Sequence, residues 1–121
     1  MAHSVTWFDI PVLDLDRAIR FYAAVLGASI AKETHGGTAI GVLPHREDEV
    51  SGCLHPGKTN RPSENGPLLY LNVDGRLDAA LKAVTAQGGK VLHAKHAIGK
   101  YGTRAIILDS EGNRMALHSG T

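Results

Sequence analysis

A single cysteine, Cys53, stands among 121 residues. No disulfide can form within the chain and no cage of thiolates can be built, so Cys53 is expected to be a small buried hydrophobe. An excess of one charge is also lacking: 13 Lys and Arg against 12 Asp and Glu leave a formal charge of +1. The basic residues are dispersed, without the stripe or interleaved aromatics that phosphate backbones and stacked bases select, and no nucleic-acid partner is expected. No apolar run approaches the roughly 18 residues needed to span a bilayer. The opening MAHSVTWFDIPV has neither the basic flank nor the apolar stretch of a signal peptide. A cytoplasmic protein with no membrane partner is the expectation.

The apolar content of 43% and charged content of 21% suit one globular domain with one core. From Val5 to Val12, Phe8, Ile10 and Val12 share one parity and Trp7, Asp9 and Pro11 the other, the pattern of a half-buried strand. The period then changes. Leu15, Ala18, Ile19, Tyr22, Val25 and Leu26 recur at helical spacing, after Asp14 as N-cap and before Gly27 as stop. Residues 28–34 and 38–43 read as a hairpin turned at His35, Gly36 and Gly37, and Val50 to His55 as a fourth strand.

After a Pro- and Gly-rich connector the pattern restarts. Leu69, Leu71 and Val73 oppose Leu68, Tyr70 and Asn72 on a strand; Leu77, Ala80, Leu81 and Val84 form a helical stripe stopped by Gly88 and Gly89. Strands follow near 90–95, 103–108 and 113–118, the last two joined by DSEG. The halves superpose element by element: Ile10 and Val12 onto Leu71 and Val73, Leu15 onto Leu77, Gly27 onto Gly89, CLH at 53 onto ALH at 116. The chain therefore reads as an α+β fold of two tandem βαβββ modules, 1–57 and 68–121, joined by 58–67. Each module needs a partner, because one helix covers only one face of a four-stranded sheet.

The phrases WFDIPVLDLDRAIRFYAAVLG, VDGRLDAALKAVTAQGGKV and ILDSEGNRMALHS resemble the vicinal oxygen chelate superfamily, which includes glyoxalase I, bleomycin-resistance proteins and extradiol dioxygenases. The likeness covers nearly the whole chain. It implies a cupped mixed sheet from paired modules with strand order 1-4-3-2 in each, and frequently a homodimer. It also implies a divalent metal held by one side chain from the first and fourth strand of each module. Carried onto this sequence, those positions are Trp7, Cys53, Leu68 and Ala116. Three of these cannot ligate a metal, so the resemblance points to a relative with no metal or other cofactor.

Alternation then sets out the cup face: Trp7 with Val5 and Asp9, Cys53 with Ser51 and His55, Leu68 with Tyr70 and Asn72, Ala116 with Arg114 and His118. Moving two residues along each strand, about 7 Å, gives a polar layer of Asp9, His55, Tyr70 and His118. As catalytic candidates, Asp9 and His55 would form a general base while Tyr70 and His118 bind or protonate a substrate oxygen; as strand-end side chains they would simply meet water. A shifted metal site from His55, His118 and Asp9 is a further alternative. Ligand-binding candidates are Trp7, Cys53, Leu68, Asn72, Arg114 and Ala116, with Trp7 either a stacking platform or core, and Arg114 either a carboxylate clamp or a salt-bridge partner of Asp9 or Glu111. KVLHAKHAIGKYG reads as a cationic lid or a solvated loop, and strict alternation puts His93 and His96 on opposite faces.

Three functions stay open at this level. One is a metal-independent protein binding a small, aromatic or anionic molecule in the cup. Another is a metal-independent lyase, isomerase or hydrolase using the Asp/His/Tyr layer. The third is a scaffold with an empty cup.

Overall fold

A computed structural model describes residues 3–120. Eight strands and two helices occur in the order β1 (Trp7–Val12), α1 (Leu15–Leu26), β2 (Ala31–His35), β3 (Thr38–Val42), β4 (Ser51–Pro56), β5 (Leu69–Asn72), α2 (Leu77–Ala86), β6 (Lys90–Ala97), β7 (Thr103–Leu108) and β8 (Arg114–Ser119). A short 3-10 turn, Gly99–Tyr101, links β6 to β7. The strands form two mixed four-stranded sheets, ordered β1-β4-β3-β2 and β5-β8-β7-β6. In each, the first and fourth strands are parallel and the other pairs antiparallel. The tandem βαβββ architecture is that expected from the repeat, and the strand order is the one the resemblance implies. Among the described residues no helix is long and apolar enough to cross a membrane.

Local chemistry explains the boundaries. Asp14 accepts from the Arg17 amide at 3.1 Å and starts α1, and Gly27 ends it with φ 67°. The second module departs from strict repetition here. Gly88 takes the positive φ of 89°, whereas Gly89, the repeat mate of Gly27, is needed for space. A Cβ on Gly89 would lie 2.5 Å from the Leu108 carbonyl oxygen and 2.7 Å from a Phe21 ring carbon. β2 starts at 31 rather than 28, and β6 runs to Ala97 because two register shifts lengthen it.

One core unites both modules. Ile10, Val12 and Leu54 from the first sheet, Leu71, Ile107 and Leu117 from the second, and Ala18, Phe21, Tyr22, Val25, Ala80 and Val84 from the two helices are all buried in it. Each helix lies on its own module's sheet and α1 packs on α2, so the two modules share one core.

The turn between β7 and β8 fastens the modules together. Glu111 accepts from the Leu13 and Asp14 amides, both at 2.8 Å, and from Arg17 Nε and Nη2 at 2.7 and 2.9 Å. Asn113 donates to the Pro11 carbonyl at 2.7 Å. Asp109 accepts from the Tyr22 hydroxyl at 2.5 Å, the Glu111 and Asn113 amides at 2.8 Å and Asn113 Nδ2 at 2.9 Å. From the other side, Arg76 donates to the Val25 carbonyl at the end of α1.

Candidate functional site

The helices cover one face of each sheet, which leaves the residues of opposite parity for function. On the first sheet this face carries Trp7, Asp9 and Pro11 beside Ser51, Cys53 and His55. On the second it carries Tyr70 and Asn72 beside Ala116 and His118, with Arg104 and Ile106 of β7 next in line.

Register corrects the expected polar layer. Asp9 lies opposite Cys53, and His55 opposite Pro11. Tyr70 lies opposite Ala116, and His118 opposite Asn72. Asp9 and His55 are thus not lateral neighbours, and among the described residues the His55 side chain makes no hydrogen bond. It lines a separate surface hollow with Thr38, Pro56 and Lys58. The Asp9–His55 base and the shifted metal site built on it have no geometric support, and no cluster of three His, Cys, Asp or Glu side chains suited to a metal occurs among the described residues.

Asp9 instead binds within its own wall. Its Oδ1 accepts from the Trp7 indole at 3.1 Å and from the Cys53 thiol at 3.2 Å. Cys53 is 2% exposed, and burial, reinforced by the Asp9 carboxylate, pushes its thiol up to about 12. It is therefore a neutral thiol at physiological pH. Its counterparts in the resemblance, Trp7, Leu68 and Ala116, supply an indole and two aliphatic groups. These residues do not fit a divalent cation.

Trp7 is not core: it is 45% exposed, with its ring edge-on to His45 at 6.5 Å. Leu68 precedes β5 and is half-buried, and Asn72 Oδ1 accepts from the Asp74 amide at 2.8 Å. Arg114 pairs with neither Asp9 nor Glu111; its guanidinium donates to the Gly66 carbonyl at 3.3 Å, because Arg17 already occupies Glu111.

The second wall holds a hollow of about 500 Å³ lined by Tyr70, Ile98, Tyr101, Arg104 and His118. Tyr70 is 48% exposed and meets the His118 ring edge-on at 6.2 Å. His118 Nε2 lies 2.5 Å from the Tyr101 carbonyl, which ties the 3-10 turn over one side. Arg104 donates through Nη1 to the Tyr70 hydroxyl and through Nε to His96 Nε2 at 3.0 Å. The bulged register of β6 also brings the His93 and His96 rings to 4.4 Å, against the alternation expected of a regular strand.

Sequence reasoning thus placed Tyr70 and His118 on this face but missed Arg104, Ile98 and Tyr101. Arg104 was findable. The alternation of TRAIIL puts Ala105 and Ile107 in the core and Arg104 on the opposite face, as for the edge strands. Ile98 and Tyr101 lie in a turn, where no period applies.

Fold and site together define a two-module βαβββ protein whose outward sheet faces carry aromatic and titratable groups around a ligand-sized hollow. The chain belongs to the Glyoxalase/Bleomycin resistance protein/Dioxygenase superfamily, whose family model matches residues 4–117. A glyoxylase-like domain-containing protein of Didymella fabae is 29% identical over 119 residues, covering 93% of this chain and 91% of the relative. Among solved structures, TnmS3, an antibiotic binding protein from Streptomyces sp. CB03234, has a TM-score of 0.74 at 24% identity, covering 100% of this chain and 99% of its own. A glyoxalase/bleomycin resistance protein from Albidiferax ferrireducens T118 also gives 0.74, at 18% identity over 97% and 98% of the two chains. These two likenesses are of fold.

Proposed function

We propose that the chain is a metal-independent binding protein that holds a small aromatic molecule on the outward face of the second sheet. The carrying observation is Tyr70, half exposed in a hollow whose other walls are Ile98, Tyr101, Arg104 and His118. Aromatic walls with a few oriented polar groups suit a planar guest, since stacking rewards flat apolar area and the polar atoms set orientation. The donor set at Trp7, Cys53, Leu68 and Ala116 supports the metal-independent part. TnmS3, an antibiotic binding protein by its title, supports binding as a role for this fold.

Thermal-shift screening of planar aromatic compounds tests the proposal, because a ligand selective for the native state raises Tm by mass action. At least one compound should raise Tm, and Tyr70→Ala should weaken its binding by about tenfold. A screen without response, or Tyr70→Ala binding like the wild type, contradicts it.

The proposal includes a homodimer. Outside the hollow, Val5, Trp7 and Leu92 leave large apolar side chains exposed, the kind of surface a second copy covers. Sedimentation equilibrium at micromolar concentration should return the mass of two chains; the mass of one chain contradicts the dimer.

A further inference from the structure

The hollow contains one full positive charge, on Arg104, that no carboxylate among the described residues neutralises. Three cations elsewhere pair with carboxylates, Arg17 with Glu111, Lys32 with Asp16 and Lys95 with Asp78, while Arg76 and Arg114 bond backbone carbonyls. Among the described residues no Asp or Glu comes within ion-pair distance of Arg104, although its side chain is held in place. Nε donates to His96 Nε2 at 3.0 Å and Nη1 to the Tyr70 hydroxyl, and the guanidinium carbon lies 5.7 Å from the Tyr70 ring centroid. His96 Nδ1 lies 2.9 Å from the Ala94 carbonyl, so Nδ1 carries the proton and Nε2 presents the lone pair that Arg104 uses. Neither group that holds Arg104 is a carboxylate, and among the described residues Nη2 has no partner.

The surroundings have the same polarity. Tyr70 accepts from Arg104 and keeps its own O–H to donate. Lys100 stands 5.3 Å from the Tyr101 ring centroid at the rim. Asp74, in the adjoining hollow that shares Tyr70 and His118, has its Oδ1 engaged by the Gly120 amide at 2.6 Å and Ser119 Oγ at 3.1 Å. A guanidinium fixed in advance beside a phenol donor and flanked by aromatic rings matches a flat molecule with a negatively charged oxygen.

We propose that Arg104 reads the charge of the bound molecule, so that the hollow takes a planar aromatic anion, a carboxylate or phenolate, in preference to its neutral isostere. His96 acts as a positioning residue that aims the guanidinium. The inference rests on the proposed function, because it presupposes that the hollow is a ligand site.

Calorimetric titration of the full chain with 1-naphthoate and with its neutral isostere 1-naphthamide tests it. The naphthoate should bind about tenfold more tightly, and Arg104→Ala should abolish that preference, weakening naphthoate about tenfold more than it weakens naphthamide. Arg104→Gln, which retains an amide donor, serves as a second uncharged variant if the alanine variant folds poorly, and should lose the preference equally. Equal wild-type affinity for both probes, with Tyr70→Ala weakening both, overturns the anion inference and leaves the hollow standing as a ligand site. Failure of both probes to bind overturns the ligand site and the inference with it.

Discussion

Asp109→Ala should cost about 4 kcal/mol of folding stability, the sum of an orphaned buried hydroxyl, an orphaned side-chain amide and two orphaned backbone amides. Asp109 is 3% exposed, and its two oxygens accept four hydrogen bonds, one from Tyr22 of α1 and three from its own turn. The Tyr22 hydroxyl lies in the shared core, where burial foremost, then the Asp109 carboxylate, raises its pKa well above the usual phenol value. Removing the carboxylate thus strands donors that water cannot reach. Tyr22→Phe is the informative control: it removes one donor and leaves Asp109 three partners, so its cost should be about 1 kcal/mol. Urea denaturation followed by far-UV circular dichroism measures both. Against a typical total of about 5–15 kcal/mol, the alanine variant should be close to unfolded near physiological temperature. Equal costs for the two variants would show that the carboxylate does not organise the turn.

Acidification should release a second part of the same interlock, about 2 kcal/mol, between roughly pH 5 and pH 2. Burial by itself would raise the Glu111 carboxyl; the Arg17 guanidinium, the Asp14 and Leu13 amides and the Ser110 hydroxyl outweigh it and hold it down at about 2, from 4.5. The sign follows directly. A carboxyl depressed in the folded state contributes its full stabilisation above the unfolded value and loses it as pH falls toward the folded one. The magnitude is set below the full linkage value because the Arg17 side chain is 43% exposed and its charge is screened. Glu111→Gln should be less stable than wild type at pH 7 by about the same amount and should lose this component of the pH dependence. Parallel stability–pH curves for the two proteins from pH 7 to 2 would contradict the assignment.

These two residues show what the sequence could and could not reveal. DSEGN stood out as a resemblance motif and a turn, but nothing local announced that its acids bind the first module. Their partners, Tyr22, Arg17 and the Leu13 and Asp14 amides, lie 87 to 98 residues away. The elements themselves were legible because they obey short-range rules: period-2 alternation in β1 and β5, an Asp14 cap, a Gly27 stop. Alternation also gave the correct faces for Trp7, Asp9, Tyr70 and Asn72.

It could not give the register. β1 and β4 are parallel and separated by a helix and a hairpin, so no tight turn fixes which residues are neighbours. That freedom placed His55 beside Asp9 in the expected layer, whereas the fold puts it two residues further along. The bulges of β6 defeated alternation in another way, by bringing His93 and His96 to the same side. Arg104 was hidden by neither effect, since the alternation of TRAIIL sets it on the face opposite Ala105 and Ile107.

The central claim is that this member of the superfamily binds its guest through Tyr70 and the groups around it, without a metal ion. Its most direct test is the 1-naphthoate titration repeated after dialysis against a chelator, with nickel, zinc, iron and manganese quantified in the same sample. The account predicts unchanged affinity with metal far below one equivalent per chain. Affinity that vanishes on chelation and returns with one equivalent of any of these ions would contradict it.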